Sequence, residues 1–156
     1  MISSDFSDLL KAFDGHGVRY MVVCGHAVMY YTEPRYSKAL DLWVEAERRN
    51  AVRVFDALDE FGAPLAEMTA DDFAHEGFFY QLGRPPLRVD VLTSIDGVRF
   101  SDAWPRREQA VFGDREVALI SRADLIANKR AVGRHIDLHD AALLEQPANK
   151  RRLAGE

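Results

Sequence analysis

The 156-residue chain predicts a single α/β (α+β) domain in which helices are interleaved with the strands of a sheet. Three observations carry this reading. The length suits one domain with a real core, because domains most often run to about 100–150 residues. Apolar residues recur at helical spacing in several segments, and short β-branched or aromatic runs bounded by glycine lie between them. Two pairs of such runs are separated only by turn residues, as hairpins are. A hydrophobic fraction of 47% and a charged fraction of 29% belong to an ordinary globular protein, so disordered and membrane-embedded classes drop out. One domain is expected over residues 1–156, with helices in 121–146 packed on it.

Phe6, Leu9, Leu10 and Phe13 repeat at helical intervals until Gly15 and Gly17 stop them, which predicts a first amphipathic helix. Val18 to Val23 reads as a buried strand ended by Gly25. Ala27 to Tyr31 resumes as a short helix, closed by Pro34, whose ring and missing N–H end helices. In the next strand, Leu40, Leu42 and Val44 share one face, and Ala39, Asp41 and Trp43 share the other. Arg48 to Phe61 carries Val52, Phe55, Leu58 and Phe61 at helical spacing, with Gly62 in the usual terminating position. Phe78 to Leu82 and Leu87 to Leu92 form an expected hairpin through Gly83, Arg84, Pro85 and Pro86. Val111 to Ile120 forms another around Gly113 and Asp114. Ser121 and Asp124 have the spacing of a capping box, with the hydroxyl on a backbone N–H and the carboxylate reaching back, so a helix runs from there to Gly133. A last helix covers Ile136 to Glu145 and stops before Pro147.

The lone cysteine, Cys24, has no partner for an internal disulfide and fits a reducing compartment. No apolar run approaches the roughly 18 residues that cross a bilayer, and the N-terminus does not read as a signal peptide. The expectation is a cytoplasmic protein with no membrane partner. A net charge of −5 weighs against nonspecific nucleic-acid binding, which depends on neutralising many phosphates. Local basic patches remain open at Arg84 with Arg88, at Arg106 with Arg107, and at Lys150, Arg151 and Arg152; the terminal cluster also reads as a solvated tail.

Asp41 and Asp90 each stand on an otherwise apolar strand. A buried, unpaired carboxylate costs several kcal/mol, so each requires a basic partner or a metal. Arg35 and Arg88 are the basic candidates; hard oxygen ligands suit Mg²⁺ (or Mn²⁺), which shares carboxylates with substrate phosphates. The Gly25 turn before a helix offers free N–H groups and a favourable dipole to an anion.

These residues resemble a known pattern. Val23-Cys24-Gly25-His26-Ala27-Val28, followed by Pro34-Arg35-Tyr36-Ser37-Lys38-Ala39-Leu40-Asp41-Leu42-Trp43-Val44, resembles the signature of minimal nucleotidyltransferases of the DNA polymerase β superfamily. That signature is a Gly-Gly or Gly-Ser pair, a spacer, then Asp-x-Asp. Arg88-Val89-Asp90-Val91-Leu92-Thr93, Asp124 to Ala131, Gly133-Arg134 and Asp137-Leu138-His139-Asp140 continue the resemblance in order over nearly the whole chain. It is similar to small bacterial nucleotidyltransferase-like proteins related to abortive-infection and toxin-antitoxin enzymes.

The resemblance implies the nucleotidyltransferase fold, a mixed twisted sheet flanked by helices. It implies transfer of a nucleoside monophosphate from an NTP, foremost ATP, to an unknown hydroxyl acceptor: a small molecule, a protein or an RNA. Metal ligands fall at Asp41 and Asp90, with Ala39 at the position of the first aspartate. Gly25, His26, Arg35, Lys38, Lys129 and Arg130 fall at nucleotide-binding positions. Two positions depart from the pattern. Cys24 replaces a glycine but is small. Ala39 has no oxygen for a metal, so transfer is impaired or absent, whether the alanine is an engineered substitution or a natural loss in a nucleotide-binding pseudoenzyme.

Several of these residues also have plain structural readings. Arg35 either neutralises a phosphate or pairs with Asp41, and Lys129 and Arg130 either face phosphates or form helix-surface charge. His26 contacts nucleotide or is a buried, hydrogen-bonded histidine. His135 and His139, four apart beside Asp137 and Asp140, formally permit zinc, but the sequence offers no third ligand and surface histidines fit better. Trp43 and Trp104 read as core. The alternatives to an enzyme are a noncatalytic nucleotide-binding or toxin-antitoxin partner module, and a purely structural interaction protein.

Overall fold

A computed structural model describes residues 4–146. The cluster of Lys150, Arg151 and Arg152 lies outside the described residues. Six strands form one sheet: β1 (Tyr20–Val23), β2 (Ala39–Val44), β3 (Phe79–Leu82), β4 (Arg88–Leu92), β5 (Glu108–Phe112) and β6 (Arg115–Leu119). Their order is β3-β4-β2-β1-β6-β5. β2 lies parallel to β4 and β1 parallel to β6, while the remaining pairs are antiparallel, so the sheet is mixed. Among the described residues, six α-helices flank it: α1 (Ser4–Gly15), α2 (Cys24–Tyr31), α3 (Arg48–Phe61), α4 (Phe100–Ala103), α5 (Arg122–Val132) and α6 (His135–Glu145). The mixed α/β class expected from the sequence is the one observed.

Leu40, Leu42 and Val44 on one face of β2 join Leu9, Leu10 and Phe13 of α1 and Val54 and Leu58 of α3 in a continuous core. Fully burying each such side chain contributes about 1.5–3 kcal/mol, which fixes the register of β2 and sends Ala39, Asp41 and Trp43 to the opposite face. There Trp43 meets the ring of Phe100 edge-on, with centroids 5.1 Å apart. Both tryptophans sit in aromatic packing, since Trp104 stacks on Phe100 in turn. No helix among the described residues is long and apolar enough to cross a membrane.

The bounds of α3 match the sequence pattern, and its end is set by Gly62 in the left-handed region at φ +94°, but its buried face runs through Ala51, Val54, Ala57 and Leu58, leaving Val52 of the expected stripe exposed. Its start has an unanticipated cap: the Glu47 carboxylate accepts from the N–H groups of Arg49 and Asn50. Both hairpins form, β3 with β4 and β5 with β6. The expected helix at Ala27 instead begins at Cys24, so Gly25 lies inside α2 rather than in a turn before it. Ser121 caps α5 through the N–H of Asp124, but the Asp124 carboxylate does not reach back to the backbone. It accepts from the Ser121 hydroxyl and, at 2.8 and 3.0 Å, from Arg106. A 3₁₀ turn at Ala70–Ala74 and the short α4 are too brief for a periodicity argument to find.

Candidate functional site: two carboxylates and a clamped arginine

Parallel pairing of β2 with β4 sets Asp41 directly beside Asp90 and Ala39 directly beside Arg88. Partners in such a ladder project to the same face, so four residues separated by about fifty in sequence make one patch. Arg88 donates from Nε to Asp90 Oδ1 and from Nη2 to Asp90 Oδ2, each at 3.0 Å. Arg88, one of the two basic partners that the plain structural reading offered, therefore holds Asp90. Asp41 has no such clamp. Burial first, then the charge of Asp90 and a hydrogen bond with it, push the Asp41 carboxyl up to about 7; Arg88 and Lys129 pull the other way.

Beside this patch the chain leaves β1 at Val23, the register partner of Asp41, and enters α2 at once. The abrupt entry puts Cys24 at φ +57°, a left-handed conformation that favours glycine, the residue the resembled pattern has there. Burial pushes the Cys24 thiol up to about 12, with Asp41 as the next contributor. At Gly25 the constraint is space rather than backbone conformation: a Cβ there would stand 2.8 Å from Ser37 Oγ, so the Ser37 side chain would have to shift. The start of α2 thus touches the loop before β2, where Ser37 donates to the Ala39 carbonyl at 2.9 Å. His26 packs between Phe6 and Phe112, with ring centroids 6.2 Å away on each side. Burial lowers its pKa, the Ala39 carbonyl offsets part of this, and its buried Nδ1 has no hydrogen-bond partner. The half-buried ring is thus hydrogen-bonded to the Ala39 backbone, as the plain reading has it, while its Nδ1 is left without a partner.

Arg35 does not pair with Asp41. Its guanidinium grips Asp140 of α6, at 2.6 and 3.0 Å. Lys129 turns inward from α5, 3.5 Å from Asp137 and 3.6 Å from Asp140, and is close enough to Asp41 to influence its ionisation. Arg134 closes the cluster on Asp137 at 2.6 Å and, by the same contact, lowers the Asp137 pKa. Arg130, one residue from Lys129, points elsewhere and pairs with Glu145. Lys38 is exposed next to Ala39. Thus Asp41, Asp90, Arg88, Lys129, Cys24 and Gly25 come together, whereas Arg35 is held one layer back on α6 and Arg130 is directed away.

Asp137 and Asp140 are the residues whose role the sequence reading missed. Asp137, Asp140, Ala141 and Leu144 are all buried, and they occupy the i, i+3, i+4, i+7 stripe by which a helix normally buries apolar side chains. Two carboxylates in a core stripe were the available signal. His135 and His139 lie on the exposed side of α6. The other proposed basic pairs are partly committed: Arg84 is exposed, Arg106 binds Asp124, and Arg107 lies 3.8 Å over the Trp104 ring.

A cavity of about 650 Å³ opens at the ends of β2 and β4, lined in part by Trp43, Glu45, Glu76, Thr93, Phe100 and Asp102. Trp43 lies on the same face of β2 as Asp41, two residues on, or about 7 Å along the strand. Its buried indole N–H has no partner.

No protein-family profile and no curated protein sequence matches the chain significantly. Among solved structures, it is similar to the lincosamide antibiotic adenylyltransferase LnuA in its lincomycin-bound form, with 15% sequence identity and a TM-score of 0.60. The match covers 95% of this chain and 99% of that one. The likeness to that adenylyltransferase, over nearly the whole length of both chains, is one of fold.

Proposed function

We propose that the chain is a nucleotidyltransferase-like protein that binds an NTP, foremost ATP, together with Mg²⁺ or Mn²⁺, and that its transfer activity is weakened by Ala39. The observation that carries this reading is the in-register pair of Asp41 and Asp90 beside the start of α2. Two adjacent hard oxygen donors, one pushed up to about 7 by burial and by the other's charge, suit a divalent cation that shares its remaining positions with phosphates. Among the described residues, no group of three or more His, Cys, Asp or Glu side chains could hold a metal, so the protein supplies part of a shell. The donors fit one ion better than two, since Ala39 contributes no oxygen. When bound, such an ion supplies Lewis acidity and a template for the triphosphate.

The chain's own residues have separate tasks in this reading. Lys129 adds positive charge behind the carboxylates, and the α2 backbone beside Gly25 offers N–H groups to phosphate. In the reaction, the acceptor oxygen bonds to the α-phosphorus, pyrophosphate leaves, and the hydroxyl proton passes to a carboxylate oxygen of Asp41. The acceptor in this proposal is a hydroxyl-bearing small molecule in the cavity beyond Trp43. The net charge of −5 argues against RNA, and LnuA was solved with a small antibiotic bound. The narrower kinship with abortive-infection and toxin-antitoxin nucleotidyltransferases, a cognate partner protein, a single domain over 1–156 and a cytoplasmic site of action belong to the same proposal. They rest on the ordered sequence blocks and on the single cysteine.

Labelled ATP, Mg²⁺ and a panel of small hydroxyl compounds or a cell extract test the proposal. The Ala39→Asp protein is expected to transfer label at least about tenfold faster than the parent, equivalent to about 1.4 kcal/mol of transition-state stabilisation. No transfer to any acceptor by Ala39→Asp would overturn the enzymatic reading. A second reading, a noncatalytic nucleotide-binding module, is favoured by the arginine clamp on Asp90. Calorimetry that shows ATP binding by both proteins without turnover would select it.

A further inference from the structure

Arg88 occupies both oxygens of Asp90, the carboxylate a metal would need. A bidentate guanidinium–carboxylate pair is among the stronger side-chain contacts, because two charge-assisted hydrogen bonds form in one plane. Its position has a local cause. The register partner of Arg88 is Ala39, whose methyl group offers the guanidinium nothing, so the nearest acceptor is Asp90 on its own strand. The two side chains also differ in access: Arg88 is 27% exposed and Asp90 only 6%. A ligand arriving from solvent meets the guanidinium before the carboxylate. Two of the five N–H donors of a guanidinium are used on Asp90, which leaves three for an incoming anion.

We propose that Arg88 is a resident countercation of this site, holding Asp90 against a free divalent ion and releasing it when the phosphates of a nucleoside triphosphate take over the guanidinium. The inference rests on the nucleotide-and-metal reading above. Metal alone has to break a partly buried ion pair and finds Asp41 unclamped beside it. Nucleotide alone gains a planar phosphate donor. Together each relieves the other's cost, so metal and nucleotide bind with positive coupling, and that coupling is reciprocal. Ala39 is then more than a missing ligand, because an aspartate there would face Arg88 directly and compete with Asp90 for it.

The test uses the full chain, Mn²⁺ alone followed by electron paramagnetic resonance, and ATP without metal followed by calorimetry. Arg88→Gln is expected to bind Mn²⁺ alone at least tenfold more tightly than the parent and ATP alone at least tenfold more weakly. The strengthening of Mn²⁺ binding by ATP should shrink by a similar factor. Arg88→Lys, which keeps the charge but not the planar fork, should fall between the two and serves if the glutamine variant fails to fold. Unchanged or weaker Mn²⁺ binding by these variants overturns the proposal, as does unchanged ATP binding. Failure of the parent to bind ATP at all would sink the nucleotide reading itself. Parent binding of ATP with unaltered Mn²⁺ affinity in Arg88→Gln would sink this inference alone.

Discussion

Asp41 carries a carboxyl that ionises near neutrality because burial and the adjacent Asp90 both disfavour its charged form. In the unfolded chain it returns to the ordinary carboxylate range near 4. Between these values the native state binds more protons than the unfolded state, so the contribution of Asp41 to stability is greatest at low pH. It is lost as pH rises through about 7. Asp41→Asn removes that dependence. Urea unfolding from about pH 4.5 to about pH 8 should show the parent losing on the order of 2 kcal/mol relative to the variant. Parallel curves would mean that Asp41 is not held in this environment. Cys24 offers a second measurement at the same scale. Its φ of +57° is tolerable for a small side chain and worst for a β-branched one. Cys24→Val is expected to lower stability by about 1–3 kcal/mol, whereas Cys24→Gly stays within about 1 kcal/mol of the parent. Equal effects from the two substitutions would contradict the backbone argument.

At the scale of elements, α2 and the loop before β2 meet where Gly25 faces Ser37. Gly25→Ala should cost about 1–2 kcal/mol by pushing that loop away, and adding Ser37→Gly should recover most of it. A thermal-melt cycle of the four proteins measures the coupling; additive effects would refute direct contact. The hairpin of α5 and α6 is joined to the rest of the site by charge. Asp140 binds Arg35 from the loop before β2 and Lys129 from α5. Breaking a buried pair leaves its cations uncompensated, but Arg35 is partly exposed, which reduces the cost. Asp140→Ala is therefore expected to lose about 2–4 kcal/mol in denaturant unfolding, and Asp140→Glu distinctly less. A loss below about 0.5 kcal/mol would assign Asp140 to solvated surface behaviour. The cluster also explains how Lys129 is aimed: two aspartates in the buried stripe of α6 fix its ammonium behind Asp41.

For the whole molecule, the sheet order decides what becomes a site. β2 and β4 are neighbours although α3, the 3₁₀ turn and β3 intervene in sequence. Trp43 and Trp104 are the two tryptophans of the chain, and Trp43 lines the cavity. If the acceptor of the proposed transfer fills this cavity, its binding should change intrinsic fluorescence, and Trp43→Phe should abolish most of the change. A response that survives in Trp43→Phe would move acceptor binding elsewhere.

By itself the sequence determined what depends on neighbours along the chain. Helical spacing and Gly62 set the bounds of α3 though not its buried face, strand runs joined by turn residues set both hairpins, the period of two separated Leu40, Leu42 and Val44 from Asp41, and Ser121 marked the start of α5. The left-handed entry at Cys24 escaped it, because strand and helix join there without an intervening turn. Tertiary structure alone decided the partners of the charges. Arg35 reaches a carboxylate 105 residues away, and Arg88 faces Ala39 only through the parallel register of two strands. Backbone periodicity is a local property that a few residues can display. The pairing of buried charges depends on which surfaces the core brings together, and no short stretch of chain encodes that alone.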